Sequence, residues 1–196
     1  MSKGYIVPVE DRNNLLSILE GLEEDTLVSG AIKGYHGQVY ADSIDNPTTC
    51  KIEVGDFIFF AGDAKSELAK EFVKDVPKWI MTTYTDQKWA NLIMDIHSGK
   101  ATKTIRYSFN HENINYDKLD GMIATLPEGY QLTKINFDLA TRIKEDIWSA
   151  GLVKNFRSVE DYLDRGIGFC ILKDGEIVSG ASSYTIFDGG IEVEID

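Results

Sequence analysis

Several scarcities narrow the field before any motif is sought. Cysteine is nearly absent, with only Cys50 and Cys170 in 196 residues, which gives neither a disulfide framework nor a metal-ligand pair. Both stand in apolar, strand-like surroundings, so buried free thiols in a reducing cytoplasm are expected. Long apolar runs are also lacking. The clearest, residues 57–62, falls far short of the roughly 18 residues that a membrane span needs. Residues 1–10 lack a basic start followed by an apolar core, so no signal peptide is expected. Basic charge is in deficit, with Lys+Arg 20 against Asp+Glu 32 and a net charge of −12. Nucleic-acid binding, which needs clustered cations against phosphate, is therefore not expected. An acidic chain suits a cationic substrate, or simply solubility.

Familiar chemical signatures are missing too. The chain has no Walker loop, no H-E-x-x-H, no G-x-S-x-G and no C-x-x-C. Its three histidines, His36, His97 and His111, fall in different segments without ligand spacing. Each reads as a structural or surface histidine, and no metal is expected.

The residues that are present describe a foldable chain. Hydrophobic residues make up 43%, aromatics 11%, and there are only 4 prolines, a composition too apolar for intrinsic disorder. At roughly 100–200 residues per domain, the length allows one domain or two small ones. Residues 11–22 carry Leu15, Leu16, Ile18, Leu19 and Leu22 at helical spacing. Short strands are expected over 28–32, 37–41, 51–54 and 57–61, punctuated by Gly, Asn and Pro. Phe57-Ile58-Phe59-Phe60 does not alternate and reads as a strand buried on both faces. Helices are expected over 66–73, 86–97 and 116–124, with a half-buried strand at 104–109.

The last third is the most legible. A strand at 130–136 precedes a helix at 138–148, and Ser158 caps another helix that stops near Gly166. Strands at 167–172, 176–186 and 191–195 follow, joined by Asp174-Gly175 and Asp188-Gly189-Gly190. Asp-Gly between alternating strands is a hairpin signal, so the order is β-α-α-β-β-β with a terminal antiparallel meander.

Two patterns here bear on function. Arg165-Gly166-Ile167-Gly168 imitates a phosphate-binding R-G-x-G loop, but such a loop must follow a strand and open a helix. This one follows a helix and opens a strand, so it is a helix C-cap. In the terminal strand, Ile191, Val193 and Ile195 point one way while Glu192, Glu194 and Asp196 point the other. The plain reading is a strand with one solvent face. The functional reading is a carboxylate set that binds and deprotonates an amine.

At these residues the chain resembles a known family. The stretches Phe156-Arg157-Ser158-Val159-Glu160-Asp161-Tyr162-Leu163, Gly166-Ile167-Gly168-Phe169-Cys170-Ile171-Leu172, Ile177-Val178-Ser179-Gly180-Ala181-Ser182-Ser183 and Ile191-Glu192-Val193-Glu194-Ile195-Asp196 resemble the GNAT N-acetyltransferases. They are similar in particular to the bacterial subgroup that includes zwittermicin-resistance acetyltransferases. Upstream, Gly37-Gln38-Val39-Tyr40-Ala41-Asp42, Phe59-Phe60-Ala61-Gly62-Asp63, Arg106-Tyr107-Ser108-Phe109 and Leu126-Pro127-Glu128-Gly129-Tyr130 are similar to that subgroup as well.

The resemblance implies an α/β (α+β) chain. Residues 1–125 would form a small N-terminal α/β domain, and 126–196 the first half of a GNAT-like mixed sheet with an antiparallel meander, incomplete at the C-terminus. It implies acetyl transfer from acetyl-CoA to a small amine, with no metal. Glu192 or Glu194 would be the catalytic base or amine-binding group, and Val193 and Ile195 would lend backbone groups to the cofactor. The family's pyrophosphate loop should begin where the chain stops, at Asp196. The sequence is therefore expected to be the front part of a longer enzyme. The alternative is a non-catalytic binding module that offers its open strand edge to a partner or a second copy of the chain.

Overall fold

A computed structural model describes residues 4–105, 107 and 114–196 of the chain. It divides into two compact units, each assembled from separate segments. The first comprises Met1–Ala101, Lys154–Phe156 and Tyr184–Glu192, and the second Thr102–Val153, Arg157–Ser183 and Val193–Asp196.

The first unit is built on a five-stranded sheet in the order β1-β2-β3-β4-β5. Its strands are β1 (Tyr5–Ile6), β2 (Gln38–Ala41), β3 (Thr49–Val54), β4 (Phe57–Gly62) and β5 (Met81–Tyr84). All neighbours run antiparallel except β4 and β5, which are parallel. Strand β4 is buried on both faces, as its unbroken apolar run predicts. Phe57, Phe59 and Ala61 join one core with Val39, Ile52 and Leu15. Ile58 and Phe60 join the other with Phe72, Val73 and Trp89. That second core is covered by α2 (Glu67–Lys74) and α3 (Gln87–Ile96). Their N-caps are Ser66 and Asp86, whose side chains accept from the Ala69 and Lys88 amides.

Two segments of this unit depart from the sequence reading. The leucine-rich stretch expected as a helix over 11–22 is a 3-10 helix over Val9–Ile18. Arg12, Leu15 and Ile18 recur every three residues, the 3-10 repeat, and the first two are buried. The Arg12 guanidinium donates to the Val7 carbonyl at 3.2 Å and to Ala31 at 2.5 Å. Residues 28–32, expected as a strand, lie within helix α1 (Thr26–Ile32). There the Asp25 side chain accepts from the Leu27 and Val28 amides at 3.0 and 3.3 Å. An N-cap and burial outweigh the strand preference of Val28 and Ile32.

In the second unit lie α4 (Tyr116–Ile123), α5 (Phe137–Glu145) and α6 (Val159–Arg165). A four-stranded sheet runs in the order β6-β7-β8-β9, with β6 (Tyr130–Lys134), β7 (Gly168–Lys173), β8 (Glu176–Phe187) and β9 (Gly190–Ile195). The boundary between the units falls within β8 and β9. Asp174 and Gly175 both take positive φ, 52° and 82°, as the Asp-Gly hairpin signal requires. Gly166 caps α6 and the chain passes straight into β7, so Arg165-Gly166-Ile167-Gly168 is the helix end expected of it. The strand expected over 104–109 falls partly outside the described residues. Ile105 and Tyr107, which are described, are exposed.

Candidate functional site

Strand β9 carries every site residue expected from the sequence. The backbones of Gly180 and Asp196 exchange two hydrogen bonds, at 2.8 and 3.0 Å. This fixes β9 as the antiparallel neighbour of β8. In such a strand successive residues turn their N–H and C=O groups to opposite sides. Asp196, Glu194 and Glu192 therefore aim backbone groups at β8, and Val193 and Ile195 aim theirs at the outer edge. Among the described residues no further strand pairs with that edge.

The side chains of β9 alternate in the opposite sense to a simple amphipathic strand. Ile191, Val193 and Ile195 are exposed, at 38%, 56% and 73%, while Glu192 and Glu194 are half-buried. The solvent face of β9 is thus the aliphatic one. Across the sheet, Phe169 and Leu132 are exposed as well. The packing of the opposite face explains the reversal. Leu152, in the 3-10 turn Ala150–Leu152, sits where a Gly180 Cβ would otherwise stand. A Cβ on Gly151 would lie 3.0 Å from Asp196 Oδ2 and 3.4 Å from Glu194 Oε1. The turn is seated against these acids because both glycines lack a side chain.

Glu192 is held from another direction. The Thr26 hydroxyl, at the first residue of α1, donates to Glu192 Oε1. Among the described residues Oε2 has no partner. Four residues earlier, Asp188 accepts from the Tyr35 hydroxyl at 2.5 Å and pairs with Lys33 at 3.2 Å. The Tyr35 hydrogen bond, and after it Lys33, hold the Asp188 carboxyl below its usual range. Helix α1 lies close to β8 here, since a Cβ on Gly30 would come within 2.8 Å of the Ile186 carbonyl oxygen. Sequence reasoning found Glu192 but had no means of finding Thr26, which lies 166 residues away.

The remaining candidates have structural partners. His36 bonds two backbone groups, Asn155 O and Ile186 N. His97 Nε2 lies 2.7 Å from the Val73 carbonyl oxygen. His111 is outside the described residues. Cys50 and Cys170 are fully buried free thiols. Among the described residues no group of His, Cys, Asp and Glu could hold a metal ion, and no helix is long and apolar enough to cross a membrane. A cavity of about 350 Å³ opens beside α5 and α6, lined by Lys134, Phe137, Tyr162 and Ile167. It contains none of the β9 acids.

Comparisons with known proteins agree with this architecture. The family described as GNAT acetyltransferase matches residues 17–196. The crystal structure of a GCN5-related N-acetyltransferase-like protein from Streptococcus suis superposes with a TM-score of 0.84 at 29% identity. The match covers 95% of this chain and 75% of that one. No curated protein matches the sequence. With residues 17–196 of its 196 matched by the family, the chain belongs to the GNAT acetyltransferases.

Proposed function

We propose that the protein transfers an acetyl group from acetyl-CoA to a small cationic amine, with Glu192 as the catalytic base and Glu194 beside it on the same strand face. Family membership supports acetyl transfer over the alternative of a non-catalytic module. The observation that carries the assignment of Glu192 is its carboxylate, half-buried and held through one oxygen with the other open. A carboxylate so placed binds an ammonium by charge and hydrogen bond, then accepts its proton to free the nitrogen lone pair.

Acetyl-CoA, when bound, supplies a thioester carbonyl to which a neutral amine adds with loss of the thiol. The open edge of β9 fits its amide-containing arm, because Val193 and Ile195 turn their N–H and C=O groups there. The aliphatic face bearing Val193 and Ile195 is exposed beside that edge. We also place the chain in the subgroup similar to zwittermicin-resistance acetyltransferases, on the stretches quoted above.

The test uses the full-length protein with acetyl-CoA and three amines, spermidine, kanamycin and L-lysine, following thiol release. Turnover of at least one amine is expected, with Glu192→Gln lowering kcat by roughly 10²–10⁴-fold. Failure to acetylate any of them, or full activity in Glu192→Gln, overturns the reading.

A further inference from the structure

We propose that Thr26 is the positioning residue of this site, its hydroxyl fixing the Glu192 carboxylate through Oε1 so that Oε2 faces the substrate amine. The inference rests on the reading of Glu192 as the base. It goes beyond that reading by assigning a role to Thr26, a residue in a helix 166 positions away from Glu192 in the sequence.

Three features of the first unit give Thr26 a fixed place from which to act. Asp25 caps α1 immediately before it, accepting from the Leu27 and Val28 amides. Gly30 lets the same helix lie flush against the backbone of β8 at Ile186. Tyr35 and Lys33, just past the end of α1, both bond Asp188 in the turn that leads into β9. The helix is thereby closed by its own cap in the first turn, seated against β8 at its middle and tied to Asp188 just past its end. This gives the threonine at its first residue a defined place.

A glutamate on an open strand is different. It has three rotatable bonds and loses much side-chain entropy when it is held in one geometry. Without a holder, Glu192 samples several rotamers, and only some present an oxygen to a bound amine. One hydroxyl on Oε1 removes that freedom and leaves Oε2 open. The proton passes from the substrate ammonium to Oε2, the nitrogen keeps the lone pair, and the carboxyl later returns the proton to solvent. Thr26 neither gains nor loses a proton in this step.

Thr26→Val keeps the shape and removes the donor, whereas Thr26→Ser keeps the donor. In the full-length protein acting on the best of the three amines, Thr26→Val is expected to lower kcat roughly 10–100-fold, the scale of a misplaced catalytic group. The KM for acetyl-CoA should be unchanged, and Thr26→Ser should restore kcat. In a Glu192→Gln background, adding Thr26→Val should have almost no further effect, because the two residues act as one unit. A wild-type kcat in Thr26→Val, or an undiminished Thr26→Val effect in the Glu192→Gln background, overturns the proposal while leaving Glu192 as the base. Full activity in Glu192→Gln, or no turnover by the wild type, overturns the underlying reading and this proposal with it. If Thr26→Val does not fold, Thr26→Ala read against Thr26→Ser makes the same comparison.

Discussion

The imidazole of His36 and the backbone amide of Ile186 form a hydrogen bond of 3.0 Å across 150 residues of sequence. Nε2 accepts it, so Nδ1 carries the ring proton and donates to the Asn155 carbonyl, also at 3.0 Å. One buried neutral histidine thus ties two distant segments, 154–156 and 184–187, to the first unit. Phe156 meets the ring edge-on with centroids 5.0 Å apart.

Replacing His36 by Ala leaves a buried amide and a carbonyl without partners and opens a cavity. A loss of about 2–4 kcal/mol is expected in urea denaturation. His36→Gln, which can keep one of the two bonds, should recover part of it. Equal stability of wild type and His36→Ala would show that neither the two hydrogen bonds nor the packing of the ring contributes to stability.

Asp161 gives a pH-dependent contribution with a definite sign. Arg165 donates to it at 2.8 and 2.6 Å and the Arg157 amide at 3.0 Å, and the Arg165 hydrogen bonds chiefly hold its carboxyl below its ordinary value. A carboxylate lowered on folding stabilises the protein above its unfolded value, near 3.9, and loses that contribution as pH falls through the lower folded value. Between pH 7 and pH 3, wild type should therefore lose more stability than Asp161→Asn. Parallel curves for the two proteins would contradict this.

Burial pushes the Cys50 thiol up to about 12, and burial raises Cys170 as well. Since the thiolate is the reactive form, Cys50 in the native protein at pH 8 should react with a disulfide reagent at least about a thousandfold more slowly than free cysteine, and Cys170 should also be slowed. After denaturation two thiols per chain should titrate. Rapid labelling of the native protein would mean that the surrounding core opens readily.

The parts that were legible in the sequence are those written in short-range chemistry. The N-caps Ser66, Asp86 and Ser158 start the helices expected of them. The Asp174-Gly175 turn joins β7 to β8, and the apolar run at Phe57 is the doubly buried strand. Where local signals conflict, tertiary context wins. Val28 and Ile32 suggest a strand, yet the Asp25 cap and the space opened by Gly30 make them helical. Strand β5 has no alternation to announce it and exists because β4 offers a parallel edge.

The candidate site divides in the same way. Sequence alone determined the alternation of β9, and with it the placing of Glu192 and Glu194 on one face and Val193 and Ile195 on the other, because a strand repeats every two residues whatever surrounds it. Only the tertiary structure decided which face is covered and what holds the acids there. Leu152 and the turn at Gly151 pack on the acidic face, and Thr26 reaches Glu192 from a helix 166 residues away. Such pairings depend on where the chain returns, which is fixed by burial and close packing over the whole fold rather than by any window of residues.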